Sequence, residues 1–196
     1  MVKAATDHRE RLLEGLTDSL GRKPYREVTL TDITAAARVS RRTFYQHFAN
    51  KDECLLALAA DTSVRMMRVV LTAVQNSSDW QETVERVTDA YLSFIHSQPP
   101  LMKALYIETS SMGLEGLKAR RQIAETFAAF LVQQVDDRRR HGESLQAIDQ
   151  NCAIVMVAGI NELILHTLID DRAHTLMELA PVAVGIINRF VMPPAR

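Results

Sequence analysis

Between Ser40 and Lys51 the sequence reads SRRTFYQHFANK, a run with no acidic side chain. Arginine offers a planar fork of donors that fits a phosphate or the guanine edge, and glutamine can pair two ways with adenine. Serine and tyrosine hydroxyls donate to phosphate oxygens. That combination suits a polyanion with readable bases, which is duplex DNA. Ser40, Tyr45 and Lys51 are the expected phosphate contacts and Arg42, Thr43, Gln46 and His47 the expected base readers, with Thr29 and Arg41 completing the set. No nucleophile elbow, glycine-rich phosphate loop or H-E-x-x-H spacing occurs, and the six histidines are scattered. The expectation is a protein that is not an enzyme, with no catalytic residues, cofactor or metal site.

These side chains can read DNA only if something holds them outward. Thr29 is a good helix N-cap, and Leu30, Ile33, Ala36 and Ala37 follow it at helical spacing. Ser40 is a second N-cap, and Phe44 and Phe48 lie four apart on one face of the helix it opens. Arg38-Val39 between them is a turn, with Val39 pointing inward. Helices of two turns do not persist alone in water, so both must pack on others. Residues 8 to 21 supply the cover, with Leu12, Leu13, Leu16 and Leu20 on one stripe and Gly21 as a stop signal.

This run resembles the helix-turn-helix of the TetR/AcrR family of bacterial transcriptional regulators. The matching residues are Thr29, Asp32-Ile33, Ala36-Ala37, Val39-Ser40, Thr43-Phe44-Tyr45, His47-Phe48 and Lys51. Arg38 stands where the family usually has glycine, and Thr34 where it usually has alanine. A left-handed residue other than glycine in the turn should cost on the order of 1 kcal/mol. The resemblance implies an amino-terminal DNA-binding domain, a helical carboxy-terminal domain, and a dimer built on the last two helices.

The net charge of -1 conceals an asymmetry: residues 1 to 51 carry 10 Lys and Arg against 6 Asp and Glu, and residues 52 to 196 carry 13 against 18. The basic end coincides with the helix-turn-helix, as a nucleic-acid footprint requires. Cys54 and Cys152 are far apart in apolar patterns and read as buried free thiols. With no signal-peptide core and no run of about 18 uninterrupted apolar residues, a soluble cytoplasmic protein without a membrane is expected.

Beyond Lys51 the apolar spacing predicts a long helix to about Asn76, with Leu55, Leu58, Thr62, Met66, Val69, Val70 and Val74 on its stripe. Further helices are expected from Trp80 to before Gln98, over Leu101 to Tyr106, and from Leu117 through Val135 to Arg140. Residues 145 to 169 and 175 to 191 give the last two. Pro181 is expected to bend the final helix one turn in. The Arg138-Arg139-Arg140 triplet reads as a solvated helix end in preference to a second DNA patch, and Glu162 with His166 as a helix-surface pair.

The expected fold is all-α, about nine helices, with a helix-turn-helix domain at 1-51 and a ligand-binding and dimerisation domain at 52-196. A domain attached to a DNA reader has to sense something, and pockets between helices are mainly apolar with few polar anchors. Tyr91, Phe94, Met102, Tyr106, Phe127 and Phe130 are the candidate walls, and Asn161 is the candidate polar anchor. The helix at 145 to 169 is apolar nearly all round, so it needs cover on both sides, and a second subunit would supply it. The sequence reading is a homodimeric repressor released from a palindromic operator by a small apolar effector. A constitutive DNA-binding protein with a domain that only dimerises is the alternative, and a helical enzyme or carrier is a third class.

Overall fold

The structure, a computed structural model, describes residues 2–75 and 77–193. Among them are nine α-helices, three short 3-10 turns and no strand. The chain divides into two compact units: one runs to Thr62 and takes in Pro100–Arg120, and the other comprises Ser63–Pro99 with the chain from Arg121 on.

The first unit begins with α1 (Val2–Leu20), α2 (Leu30–Ala37) and α3 (Arg41–Tyr45). Its core is built from Leu12 and Leu16 of α1, Ile33 of α2 and Phe44 of α3, all fully buried. Leu55 and Leu58 join them from α4 (Lys51–Val74), a continuous helix that starts in this unit and ends in the second. The approach of α1 to α2 depends on Gly15. A Cβ there would lie 2.7 Å from the carbonyl oxygen of Ile33 and 2.9 Å from the amide nitrogen of Ala37, distances that backbone cannot concede. The unit also holds nearly all of α6 (Pro99–Ile107) and the first turns of α7 (Gly113–Arg140).

The second unit packs α5 (Trp80–His96), α8 (Gln150–Ile169), α9 (Ala180–Val191), the end of α4 and most of α7. Trp80, Val84, Ala128, Ala153, Met156, Ile187 and Val191 form its buried cluster. The indole of Trp80 donates to Asn188 Oδ1 at 2.9 Å, which satisfies its one polar atom.

Several sequence expectations change in detail. The penultimate helix does not start at Leu145 but at Gln150. Asp149 caps α8 by accepting from the Cys152 amide at 2.7 Å, and the segment before it is not helical, with Gln146 donating its amide to the Val191 carbonyl. Pro181 does not bend α9; it sits in its first turn, where a missing N–H costs nothing, after a 3-10 run over Ala173–Leu179. Val69 and Leu117, placed on buried stripes by spacing, are exposed, and Cys152 is half-buried. Towards the end of α5 the buried positions are Leu92 and Ile95, with Phe94 half-buried beside them. Asn76, the expected end of the long helix, lies outside the described residues.

The Arg triplet divides. Arg138 is half-buried and donates to the Ser77 carbonyl at 2.8 Å, the Ser77 hydroxyl at 2.6 Å, the Thr83 hydroxyl at 2.7 Å and the Ser78 carbonyl at 3.1 Å. It also pairs with Glu143 at 3.3 Å. It ties the end of α7 to the loop before α5, while Arg139 and Arg140 are exposed and paired to Asp136 and Asp137 one turn back.

Candidate nucleic-acid interface and ligand cavity

The outward face of α3 is held by bonds at each of its corners. Thr29 caps α2: its hydroxyl accepts from the Asp32 amide at 3.2 Å, and the Asp32 carboxylate accepts from the Thr29 amide at 2.7 Å. Lys23 lies 2.7 Å from the same carboxylate. Hydrogen bonds from Lys23 and from Thr29 together hold the Asp32 carboxyl well below the usual range. Thr34, where an alanine was expected, is buried with its hydroxyl returned to the Leu30 carbonyl at 2.9 Å.

The turn closes on Arg38, whose φ of 53° and ψ of 46° are left-handed. Glycine takes that conformation without steric cost; arginine does not. The carbonyls this leaves at the end of α2 are claimed by Arg11 of α1, which donates to the Ala37 oxygen at 2.6 Å and the Arg38 oxygen at 3.0 Å. Sequence spacing singled out neither Arg11 nor this role for it. Val39, expected inward, is half-buried.

Ser40 caps α3 by accepting from the Thr43 amide at 3.0 Å. Phe44 and Phe48 are buried as their spacing required, with rings 5.7 Å apart. The helix is shorter than the expected span: it ends at Tyr45, Gln46 is its C-cap, and His47 lies in the turn beyond. Arg41, Arg42, Tyr45 and Gln46 are exposed, whereas Thr43 and His47 are half-buried. Arg41 reaches across to the Thr31 hydroxyl at 2.5 Å, which ties the start of α3 to α2.

Lys51 occupies a different environment from these. Its ammonium donates to the carbonyls of Tyr25 and Val28, each at 2.9 Å, and lies 4.1 Å from the centre of the Tyr25 ring. Burial lowers its pKa. Two of its three donors therefore fasten the Tyr25–Glu27 turn to the start of α4. Tyr25 is fixed in the same place by donating to Asp52 Oδ1 at 2.6 Å, and burial foremost, with that carboxylate second, raises its pKa far above the ordinary value.

In the second unit the four helices α4, α5, α7 and α8, with α9, surround a partly open cavity of about 80 Å3. Its wall includes Tyr91, Phe127, Phe130 and Asn161 from among the sequence candidates. Tyr91 donates to Asn161 Oδ1 at 2.7 Å and meets the Phe127 ring edge to face at 5.4 Å. Phe94, Met102 and Tyr106 do not line it: Phe94 is a turn further along α5, and Met102 and Tyr106 belong to the first unit, where Met102 is buried. The rest of the wall is aliphatic, including Val70 of α4, Val87, Leu92, Val157 and Ile160. No sequence signal separates such residues from core filling. Glu162 and His166 are an exposed pair 3.3 Å apart, as expected of a helix surface.

A capped five-residue helix with a basic and aromatic outer face, set on a three-helix core and followed by a helical unit with a cavity, defines a helix-turn-helix regulator fold. Residues 12–58 match the family model described as bacterial regulatory proteins, tetR family. Residues 12–58 thus carry the sequence pattern of that family's DNA-binding domain, and the fold of the whole chain is that of solved structures of such regulators. It superposes on the fatty acid degradation regulator FadR of Bacillus halodurans with a TM-score of 0.77 at 14% identity, covering 92% of this chain and 94% of that one. FadR of Bacillus subtilis, solved in complex with stearoyl-CoA, gives 0.76 at 17% identity, over 91% and 96%. The regulatory protein TetR of Rhodobacter sphaeroides gives 0.68 at 21% identity, over 90% and 97%. None of the curated proteins matches the sequence.

Proposed function

We propose that the chain is a homodimeric cytoplasmic repressor that binds a palindromic operator through α3 and is released by a small, mainly apolar effector in the second unit. The observation that carries this reading is the outer face of α3, where Arg41, Arg42, Tyr45 and Gln46 are exposed on a helix whose other side is anchored by Phe44. In this reading Ser40, Tyr45 and Lys51 contact phosphates, with Thr29 and Arg41 beside them, and Arg42, Thr43, Gln46 and His47 read base edges. Dimerisation is supported by what α8 and α9 leave uncovered: Val155, Ile169, Val182 and Phe190 are each exposed in the single chain. The helix α8 is long and apolar enough to cross a membrane by length and composition, yet its exposed side also carries Asn151, Glu162 and His166, which suit a partner protein better than lipid.

Release would work through α4, one uninterrupted helix whose Cys54, Leu55 and Leu58 are buried in the first unit and whose Val70 lines the cavity. A ligand that prefers one arrangement of that helix shifts the population of dimers with recognition helices spaced for successive major grooves, about 34–36 Å apart. Selection of random duplexes by the full-length protein tests the reading. A two-half-site palindrome is expected, and Gln46→Ala should relax preference at one position per half-site by about 1–3 kcal/mol. Enrichment of no sequence would overturn it.

A further inference from the structure

The chemistry of the cavity wall restricts what can enter it. Apart from Thr88, Tyr91 and Asn161, every side chain lining it is hydrocarbon, and none carries a charge at neutral pH. The space it encloses is about 80 Å3, so only a small group fits inside and the rest of a larger molecule would lie in the open mouth. A carboxylate, phosphate or ammonium buried there would have no opposite charge to pair with, and an unpaired buried charge is among the most costly things a protein can hold. A single neutral oxygen would meet a different reception. The three polar side chains sit together on neighbouring turns of α5 and on α8, and Tyr91 and Asn161 are already hydrogen-bonded to each other at 2.7 Å. A hydroxyl or carbonyl can enter such a pair by exchanging hydrogen bonds without leaving a charge behind.

We propose that the cavity takes a neutral molecule, mostly hydrocarbon with one hydroxyl or carbonyl group directed at Tyr91 and Asn161, and that it rejects anions and cations of the same skeleton. This deepens the effector reading above and rests on it only for regulation, since binding is a property of the cavity itself. It also separates this chain from any pocket that recognises its ligand by a charged head group.

Calorimetric titration of the full-length protein with a matched series tests the assignment: 2-naphthalenemethanol, 2-methylnaphthalene, 2-naphthoate and 2-naphthylmethylammonium, with stearoyl-CoA as a further arm. The alcohol should bind at least about 100-fold more tightly than either ion, the free-energy gap expected for an unpaired buried charge. Tyr91→Phe should weaken the alcohol by about tenfold and leave the hydrocarbon unchanged, as loss of one hydrogen bond predicts. Phe130→Trp, which fills the cavity, should abolish both. Binding of the naphthoate, the ammonium or stearoyl-CoA as tight as the alcohol and sensitive to Phe130→Trp would overturn the proposal, and so would failure of both neutral probes to bind at millimolar concentration. Tight binding of the alcohol with no change in operator affinity would uphold the cavity assignment and remove the effector reading instead.

Discussion

The short helix α3 and the penultimate helix α8 solve opposite problems. Five residues long, α3 has no stability of its own, and its position is written in specific bonds: the Ser40 cap, the Arg41 reach to Thr31, the Arg11 grip on the turn, and Phe44 sealed beneath. At twenty residues α8, capped by Asp149, depends far less on such bonds, and within the chain it buries Ala153, Met156, Ile164 and Leu168 on one side only. The faces each leaves outward differ accordingly. A face of arginine, tyrosine and glutamine wants a polyanion, whereas one of Val155, Ala158 and Gly159 wants another protein surface. Where a helix is over-determined by bonds its free face is available for reading; where it is under-covered its free face is available for assembly.

The largest expected effect attacks the determined side. Phe44→Ala removes a ring with no exposed surface, and should cost about 3–5 kcal/mol of stability in urea unfolding, with loss of DNA binding. Gly159→Glu attacks the assembling side. A Cβ at Gly159 meets nothing within 4 Å in the single chain, so the substitution should leave the fold intact by circular dichroism. Burying its charge between copies should weaken the dimer by about 2–5 kcal/mol in sedimentation velocity. A well-folded wild-type monomer at micromolar concentration would erase the contrast between the two helices.

Smaller effects refine it. Arg38→Gly relieves the left-handed strain at the turn and should raise thermal stability by about 1 kcal/mol, with operator affinity unchanged if Arg38 makes no phosphate contact. Asp32→Ala removes the capping box. Because the folded carboxyl is held below its ordinary value, its contribution is present at neutral pH and lost as pH falls below about 4. The stability difference between wild type and variant, measured by denaturant titration at a series of pH values, should therefore shrink on acidification, and a difference constant down to pH 3 would show that the carboxylate charge plays no part.

What could be read from sequence was local. Caps declare themselves by residue type, so Thr29 and Ser40 were legible, and aromatic spacing placed Phe44 and Phe48. Arg38 could be placed in the turn by its departure from a family pattern. What escaped depended on residues far along the chain. Arg138 looks like one charge in a solvated triplet until Ser77 and Thr83 arrive beside it. Lys51 looks like a free cation until the Tyr25 and Val28 carbonyls meet it. Pro181 bends a helix or begins one according to what precedes it, and the 3-10 run that decides this carries no signal of its own. The cavity wall was half legible because aromatic and amide residues attract notice, while Val70 or Val157 reads the same in a wall as in a core.

The composition of α8 also has a meaning in time. The chain is made from its amino end, so α5 and α7 exist when α8 emerges, but α9 follows only after roughly one to a few seconds at ordinary rates of synthesis. Once α9 closes the inner side, Val155 and its neighbours are still bare, and if a second copy covers them, that wait lengthens as the protein becomes scarcer. Scarcity, usually the safe regime for an aggregation-prone chain, is here the regime in which each molecule spends longest with its stickiest helix uncovered. On the dimer reading, nascent chains made side by side on one message would shorten that interval more effectively than any increase in the stability of the finished fold.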